Sequence, residues 1–202
     1  MKNILKLTFV VLLLMSCNDT NKSKALEGVM NEVTGNNEDI NEKYDLLLKE
    51  LGTKTPLTDD QLLEAFPKNL GRLDASENGN EEPRITSSKT VVGSFGGGSV
   101  RIEILDAGGE NAYAAIIPLK MLHLNKITSE NNNTIRYTKK EHNGILTFGT
   151  DRDKNTKSDY QSELRFLYNN RFYVTLQGKG MDVDELWDAF DIKVLKPFKT
   201  LE

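Results

Sequence analysis

The sequence predicts an α+β fold: an antiparallel sheet of about six strands with helices packed on it, preceded by a short helical N-terminal segment. Three observations carry this. Strand-like runs follow residue 84, and in one of them Val100, Ile102, Ile104 and Leu105 mark a strand with at least one buried face. Those runs are joined by Gly96-Gly97-Gly98, His142-Asn143-Gly144 and Asn169-Asn170, the short glycine- and asparagine-bearing turns of antiparallel hairpins. Helical spacing and capping signals flank the strands instead of alternating with each of them, which separates the α+β class from a parallel α/β sheet.

In chain order, "ALEGVMNEV" sets Leu26, Val29, Met30 and Val33 on one helical face, and "TGNN" breaks the pattern. A second helix is expected from about Glu38 to Leu51, with Ile40, Tyr44, Leu47, Leu48 and Leu51 on one side and Gly52 as its stop. Its polar face lacks the Lys/Arg excess of a membrane-resting helix, so packing on the protein's own domain is favoured over partner or bilayer binding. Thr58 and Gln61 form a capping box that starts a helix at Asp59, and Pro67 ends it at Phe66.

"DASENGNEEP" reads as a polar loop. "RITSSKTVVGSF" and "SVRIEILDAGG" follow as two strand-like runs around the three glycines. "ENAYAAIIPLKML" is a helix that Pro118 is expected to kink or split. Four strands come next, "TIRYTKKE" with "GILTFGTD" and "SELRFLY" with "RFYVTLQG". Asp182 and Glu185 then box a last helix whose Val183, Leu186, Trp187 and Phe190 form a core face.

At 202 residues the chain suits one domain with appendages, and 38% hydrophobic against 28% charged residues excludes global disorder. The net charge is −4, with acidic and basic residues spread along the chain and no lysine/arginine cluster, which argues against nucleic acid as a partner. The expected organisation is a signal peptide over 1–16, a polar tether over 17–24, a helical appendage over 25–52 and an α+β domain over 57–202.

The leader "MKNILKLTFVVLLLMSC" has Lys2 and Lys6 as a basic start, an apolar run of nine residues from Leu7 to Met15, and small Ser16 before Cys17, the sole cysteine. A membrane span needs about 20 apolar residues, so this run is a secretory signal. Leu14-Met15-Ser16-Cys17 resembles the lipobox of bacterial lipoproteins, with Met15 where a smaller residue is usual. The resemblance implies that the Cys17 sulfur carries a diacylglyceryl group and that cleavage makes Cys17 the mature N-terminus. Two or three acyl chains, at about 0.8 kcal/mol per buried methylene, anchor stably where one does not. By analogy with lipoprotein sorting, Asn18 behind the cysteine favours the outer membrane, with the domain facing the periplasm and the cell surface as the alternative.

Candidate chemistry is sparse. "DRDKNTKSD" places Asp151, Asp153 and Asn155 at alternate positions, as calcium loops do, but Thr156 occupies the glycine position, Ser162 the glutamate position, and Lys154 and Lys157 oppose a cation. "GSFGGGSV" lacks the Gly-Lys-Ser/Thr of a phosphate loop. Gly108 and Gly109 at a helix start leave amides that an anion, or Glu110, could satisfy. His123 and His142 sit in no metal spacing, and no nucleophile elbow, zinc-protease or cofactor motif is present.

"LTDDQLLEAFPKNLGRL", "VRIEILDAGG" before a helix, "YTKKEHNGILTFGTD" and "RFYVTLQGKGMDVDELWDAF" together resemble an uncharacterised family of bacterial envelope proteins over most of residues 57 to 195. That resemblance implies one domain and transfers no catalytic residue. The expectation is a lipid-anchored envelope lipoprotein acting as a non-catalytic protein- or ligand-binding module, with the membrane through its anchor and an envelope protein as partners. The alternatives are a hydrolase using carboxylates such as Asp106, Glu110 or Asp151, and a calcium-stabilised module.

Overall fold

The computed structural model describes residues 38–71, 73–74, 82–124, 135–153 and 159–201. Their helices are α1 (Glu38–Gly52), α2 (Asp59–Ala65), α3 (Ala112–Leu124), α4 (Val183–Ala189) and α5 (Lys196–Lys199). Two 3-10 turns, Gly109–Asn111 and Ile192–Leu195, lead into α3 and α5. The strands are β1 (Asn69–Leu70), β2 (Leu73–Asp74), β3 (Arg84–Ile85), β4 (Thr90–Phe95), β5 (Val100–Asp106), β6 (Ile135–His142), β7 (Ile145–Arg152), β8 (Ser162–Tyr168) and β9 (Phe172–Gly178).

The α+β class is the one observed. Its main sheet has seven strands in the order β3-β4-β5-β9-β8-β7-β6, every neighbouring pair antiparallel. The count exceeds six because "RITSSKTVVGSF" is not one strand: a turn at Ser87–Ser88, with Lys89 at φ 57°, folds β3 back on β4. A two-stranded ladder of β1 and β2 around Gly71, at φ 72°, is a further addition that runs of two residues are too short to reveal.

The hairpin turns follow their sequence signals. Gly96, Gly97 and Gly98 take φ of 58°, 64° and 83°, Asn143 and Gly144 take 51° and 80°, and Asn169 and Asn170 take 52° and 54°. Left-handed backbone of this kind costs glycine and asparagine least. Both capping boxes form: Thr58 accepts from the Gln61 amide at 3.2 Å, and Asp182 accepts from the Glu185 amide at 2.9 Å. Pro118 does not split α3, which runs unbroken to Leu124. The hydrogen bond it removes would have reached the carbonyl of Ala114, an exposed residue that water can serve.

Two apolar clusters hold the two faces of the sheet. On one face Ile102, Ile104, Phe166, Val174 and Leu176 meet Leu62 and Phe66 from α2, Leu186 and Trp187 from α4, and Phe198 from α5. A Cβ on Gly93 would stand 2.6 Å from the Phe66 ring, so that strand position is bare because α2 lies on it. On the other face Leu105, Phe148, Leu167 and Tyr173 pack with Ala115, Ile116 and Leu119 of α3 and with Tyr44 and Leu51 of α1.

Helix α1 is thus packed on the sheet's own core, and the compact unit begins at Asp39, not at residue 57. Buried Lys120 of α3 reaches Asp45 of α1 at 2.7 Å, and Tyr44 Oη bonds His123 Nδ1 at 3.1 Å. These contacts fix α1 against α3. Leu51 is fully buried, Leu47 and Leu48 are half-buried, and Leu46 is exposed. The expected signal peptide, Cys17, the expected tether and the helix expected over 25–33 lie outside the described residues.

Candidate functional site

Asp106 and Glu110 line one open cleft of about 440 Å³, together with Pro56 to Asp60, Leu62, Lys89 and Asn111. Asp106 ends β5, and the β8–β9 hairpin brings Arg171 beside it. Arg171 Nε and Nη2 donate to Oδ1 and Oδ2 of Asp106 at 2.6 and 2.9 Å. The amides of Gly108 and Leu57 add bonds of 3.0 and 2.7 Å to the same carboxylate, and Arg171 also donates to the Thr55 carbonyl at 2.9 Å. Four N–H donors saturate the Asp106 oxygens, which leaves the carboxylate no lone pair suited to a base or nucleophile. The group is a clamp between β5, the β8–β9 turn and the segment entering α2.

The Gly108-Gly109 amides considered for an anion are accounted for in part by this clamp. Gly108 gives its N–H to Asp106, and Gly109, at φ 61°, opens a 3-10 turn packed under Pro56. Lys89 Nζ holds both oxygens of Asp59 at 3.1 Å across the cleft mouth.

Asp151 stands at the opposite end of the strands. It pairs in register with Ser162, whereas Asp106 pairs with Phe172, so the three carboxylates do not gather. Arg136 binds Asp151 Oδ2, and Oδ1 accepts the Val183 amide at 2.8 Å, which supports the start of α4. That carboxylate, in turn, raises the Arg136 guanidinium above its ordinary pKa, chiefly through the hydrogen bond. Asp153 is exposed, and Asn155 lies outside the described residues. Among the described residues no group of three His, Cys, Asp or Glu side chains is arranged to hold a metal ion.

Both histidines sit in packing roles. His142, at the end of β6, stacks on Trp187 with ring centroids 4.4 Å apart. Burial lowers its pKa first, then Lys140, against Asp184 and Asp188. The His123 pKa is lowered by burial, Lys139 and Lys43. Burial pushes the Tyr44 phenol up to about 12, so it stays protonated beside the His123 ring, with which it shares a hydrogen bond.

A second feature was not anticipated. On the α1/α3 face of the sheet, beyond the rows that α3 covers, charged residues run across four strands. Arg101 pairs in register with Gln177 and Gln177 with Glu163; one row on, Glu103 pairs with Thr175 and Thr175 with Arg165. The result is a checkerboard in which each arginine lies next to a glutamate. Arg101 meets Glu103 at 2.6 Å and Arg165 meets Glu163 at 2.7 Å. Glu163 is nine-tenths buried, accepts from Gln177 at 3.0 Å and has Arg152 at 4.0 Å.

Arg101 Nε is buried without a hydrogen-bond partner among the described residues. Arg84, in register with Val92 and so with Glu103, and Lys139, in register with Phe148, extend the same face. With Glu141 included, that face carries five basic and three acidic side chains on a chain whose net charge is −4.

The sequence signal for this face was present. "VRIEI" and "SELRF" each set an arginine and a glutamate two apart between core residues. Alternation alone reads such positions as a solvated face; only cross-strand register shows that the two pairs are neighbours. No family model, no curated protein and no solved structure matches the chain.

Proposed function

We propose that the chain is a lipid-anchored envelope lipoprotein that works as a non-catalytic binding module, held by Cys17 at the outer membrane with its domain facing the periplasm. The anchor rests on the leader and on Leu14-Met15-Ser16-Cys17, and the outer-membrane placement on Asn18. The binding role rests on one observation: Arg101, Glu103 and Arg165 lie half-buried beside α3, over the buried Glu163, ordered by their own ion pairs. Ordered arginines of that kind meet a partner with little further loss of side-chain freedom.

The carboxylate-hydrolase reading has less support, because Asp106 is saturated by donors and Asp151 stands at the far end of the strands. The test is in-cell crosslinking of the full-length protein followed by identification of what is captured. A defined envelope partner, recovered reproducibly, is the expected result; failure to recover any specific partner overturns the binding role.

A further inference from the structure

With Arg152 counted, the charged rows hold three basic and two acidic side chains, and the imbalance has a direction. Glu163 is buried under Arg165, Arg152 and Gln177, so its charge is already spent within the protein. Glu103 is engaged by Arg101 at 2.6 Å. Arg101, Arg152 and Arg165 stay half-buried and partly open to solvent, and Thr175 and Gln177 on β9 lie between β5 and β8 in the same rows. One donor of this set, Arg101 Nε, is buried with no acceptor among the described residues.

The chemistry of the acceptor follows from the donors. Four of the five basic side chains on this face are arginines, whose planar fork matches a carboxylate bidentately. A flat bilayer is a poor occupant. Helix α3, about 10 Å thick, stands on the same sheet face beside the rows. The exposed large hydrophobics among the described residues, Leu46, Leu63, Tyr113 and Met121, are all on helices, and none is on the strands that carry the rows, so the rows themselves hold no apolar anchor. An extended chain carrying several carboxylates fits, because it can lie along the sheet beside α3 and meet arginines on successive strands.

We propose that the face formed by Arg101, Arg165, Arg152, Thr175 and Gln177 is the recognition surface for an acidic, extended segment of a partner protein, with Glu103 and Glu163 as the positioning residues that aim the arginines. This rests on the binding role above and specifies its partner's chemistry.

The test is a fluorescence-anisotropy titration of the purified full-length protein in detergent with fluorescein-labelled octaglutamate, an octalysine peptide as control, and phosphatidylglycerol mixed into the micelles as competitor in a third arm. Octaglutamate is expected to bind, more weakly as salt rises, and to lose at least about tenfold in affinity in R101Q/R165Q. If that pair of substitutions impairs folding, Thr175→Glu sets a like charge at the centre of the rows through a half-exposed position and should abolish binding with the melting temperature kept. Undiminished binding in folded variants, equal binding of octalysine, no binding of octaglutamate, or displacement of octaglutamate by phosphatidylglycerol in the micelles each overturns the proposal. A specific in-cell crosslink retained from another surface, with octaglutamate binding absent, sinks this surface and leaves the binding role standing; loss of both removes both.

Discussion

Arg171 closes a two-pronged ion pair on Asp106 across 65 residues of sequence, with Nε at 2.6 Å from Oδ1 and Nη2 at 2.9 Å from Oδ2. Both side chains are nearly inaccessible, at 6% and 2%. The same carboxylate takes the Leu57 and Gly108 amides, so the pair ties three separate parts of the chain into one node.

Removing one partner of this node leaves a buried charge unpaired. Arg171→Ala should therefore destabilise the domain by about 3 to 5 kcal/mol in denaturant unfolding. Replacing both residues by leucine should not restore stability, because the Leu57 and Gly108 amides would lose their acceptor. Wild-type stability in the double variant would show the node to be no more than a charge pair.

Helix α4 has only seven residues, and its start is held by Asp182 and Asp151 together. Asp182→Ala should cost about 1 kcal/mol, within the usual range for loss of an N-cap. Asp151→Asn should cost less than Asp151→Ala, since the amide oxygen can still accept from Val183. Urea midpoints of the three variants rank these effects, and equal values for Asn and Ala would deny Asp151 its part in the cap.

Gly93 lies under the Phe66 ring, 2.6 Å from where a Cβ would stand. Gly93→Ala should destabilise by about 1 to 3 kcal/mol through overpacking, and Phe66→Leu in the same chain should recover part of that loss. Additive losses in the double variant would contradict the contact.

The pKa values of His142 and His123 both lie below the ordinary 6.5, with burial the first cause. Lowered values mean that the folded state favours neutral rings and the unfolded chain takes the proton first. Stability is then full above about pH 6.5 and falls as the pH drops through that value toward the lower folded pKa values. Melting temperatures between about pH 5 and 8 should decline on the acid side, and His142→Phe, which keeps a ring on Trp187, should flatten the slope. A profile unchanged in that variant would remove His142 from the linkage.

Lipidation at Cys17 is read from metabolic palmitate labelling. Wild type should incorporate label and move with the outer-membrane fraction, and Cys17→Ala should do neither. Label retained on the alanine variant would refute the anchor.

What the sequence determined by itself is local. Both capping boxes, the Asn143-Gly144 and Asn169-Asn170 turns, the glycine hairpin and the α+β class follow from interactions within about four residues or from period-two patterning, and such signals survive in the linear chain. Tertiary structure decided the rest. It pairs β5 with β9 across more than 60 residues, brings Arg171 to Asp106, sends Asp151 to the other end of the strands and sets the Arg101–Glu103 pair across β9 from Glu163–Arg165. Register is the physical reason: it is chosen by the packing of two whole faces at once, and a shift of one residue would exchange them. The strand "SELRF" therefore specifies its alternation but not its neighbours, and the charged face arises only when the neighbours are chosen.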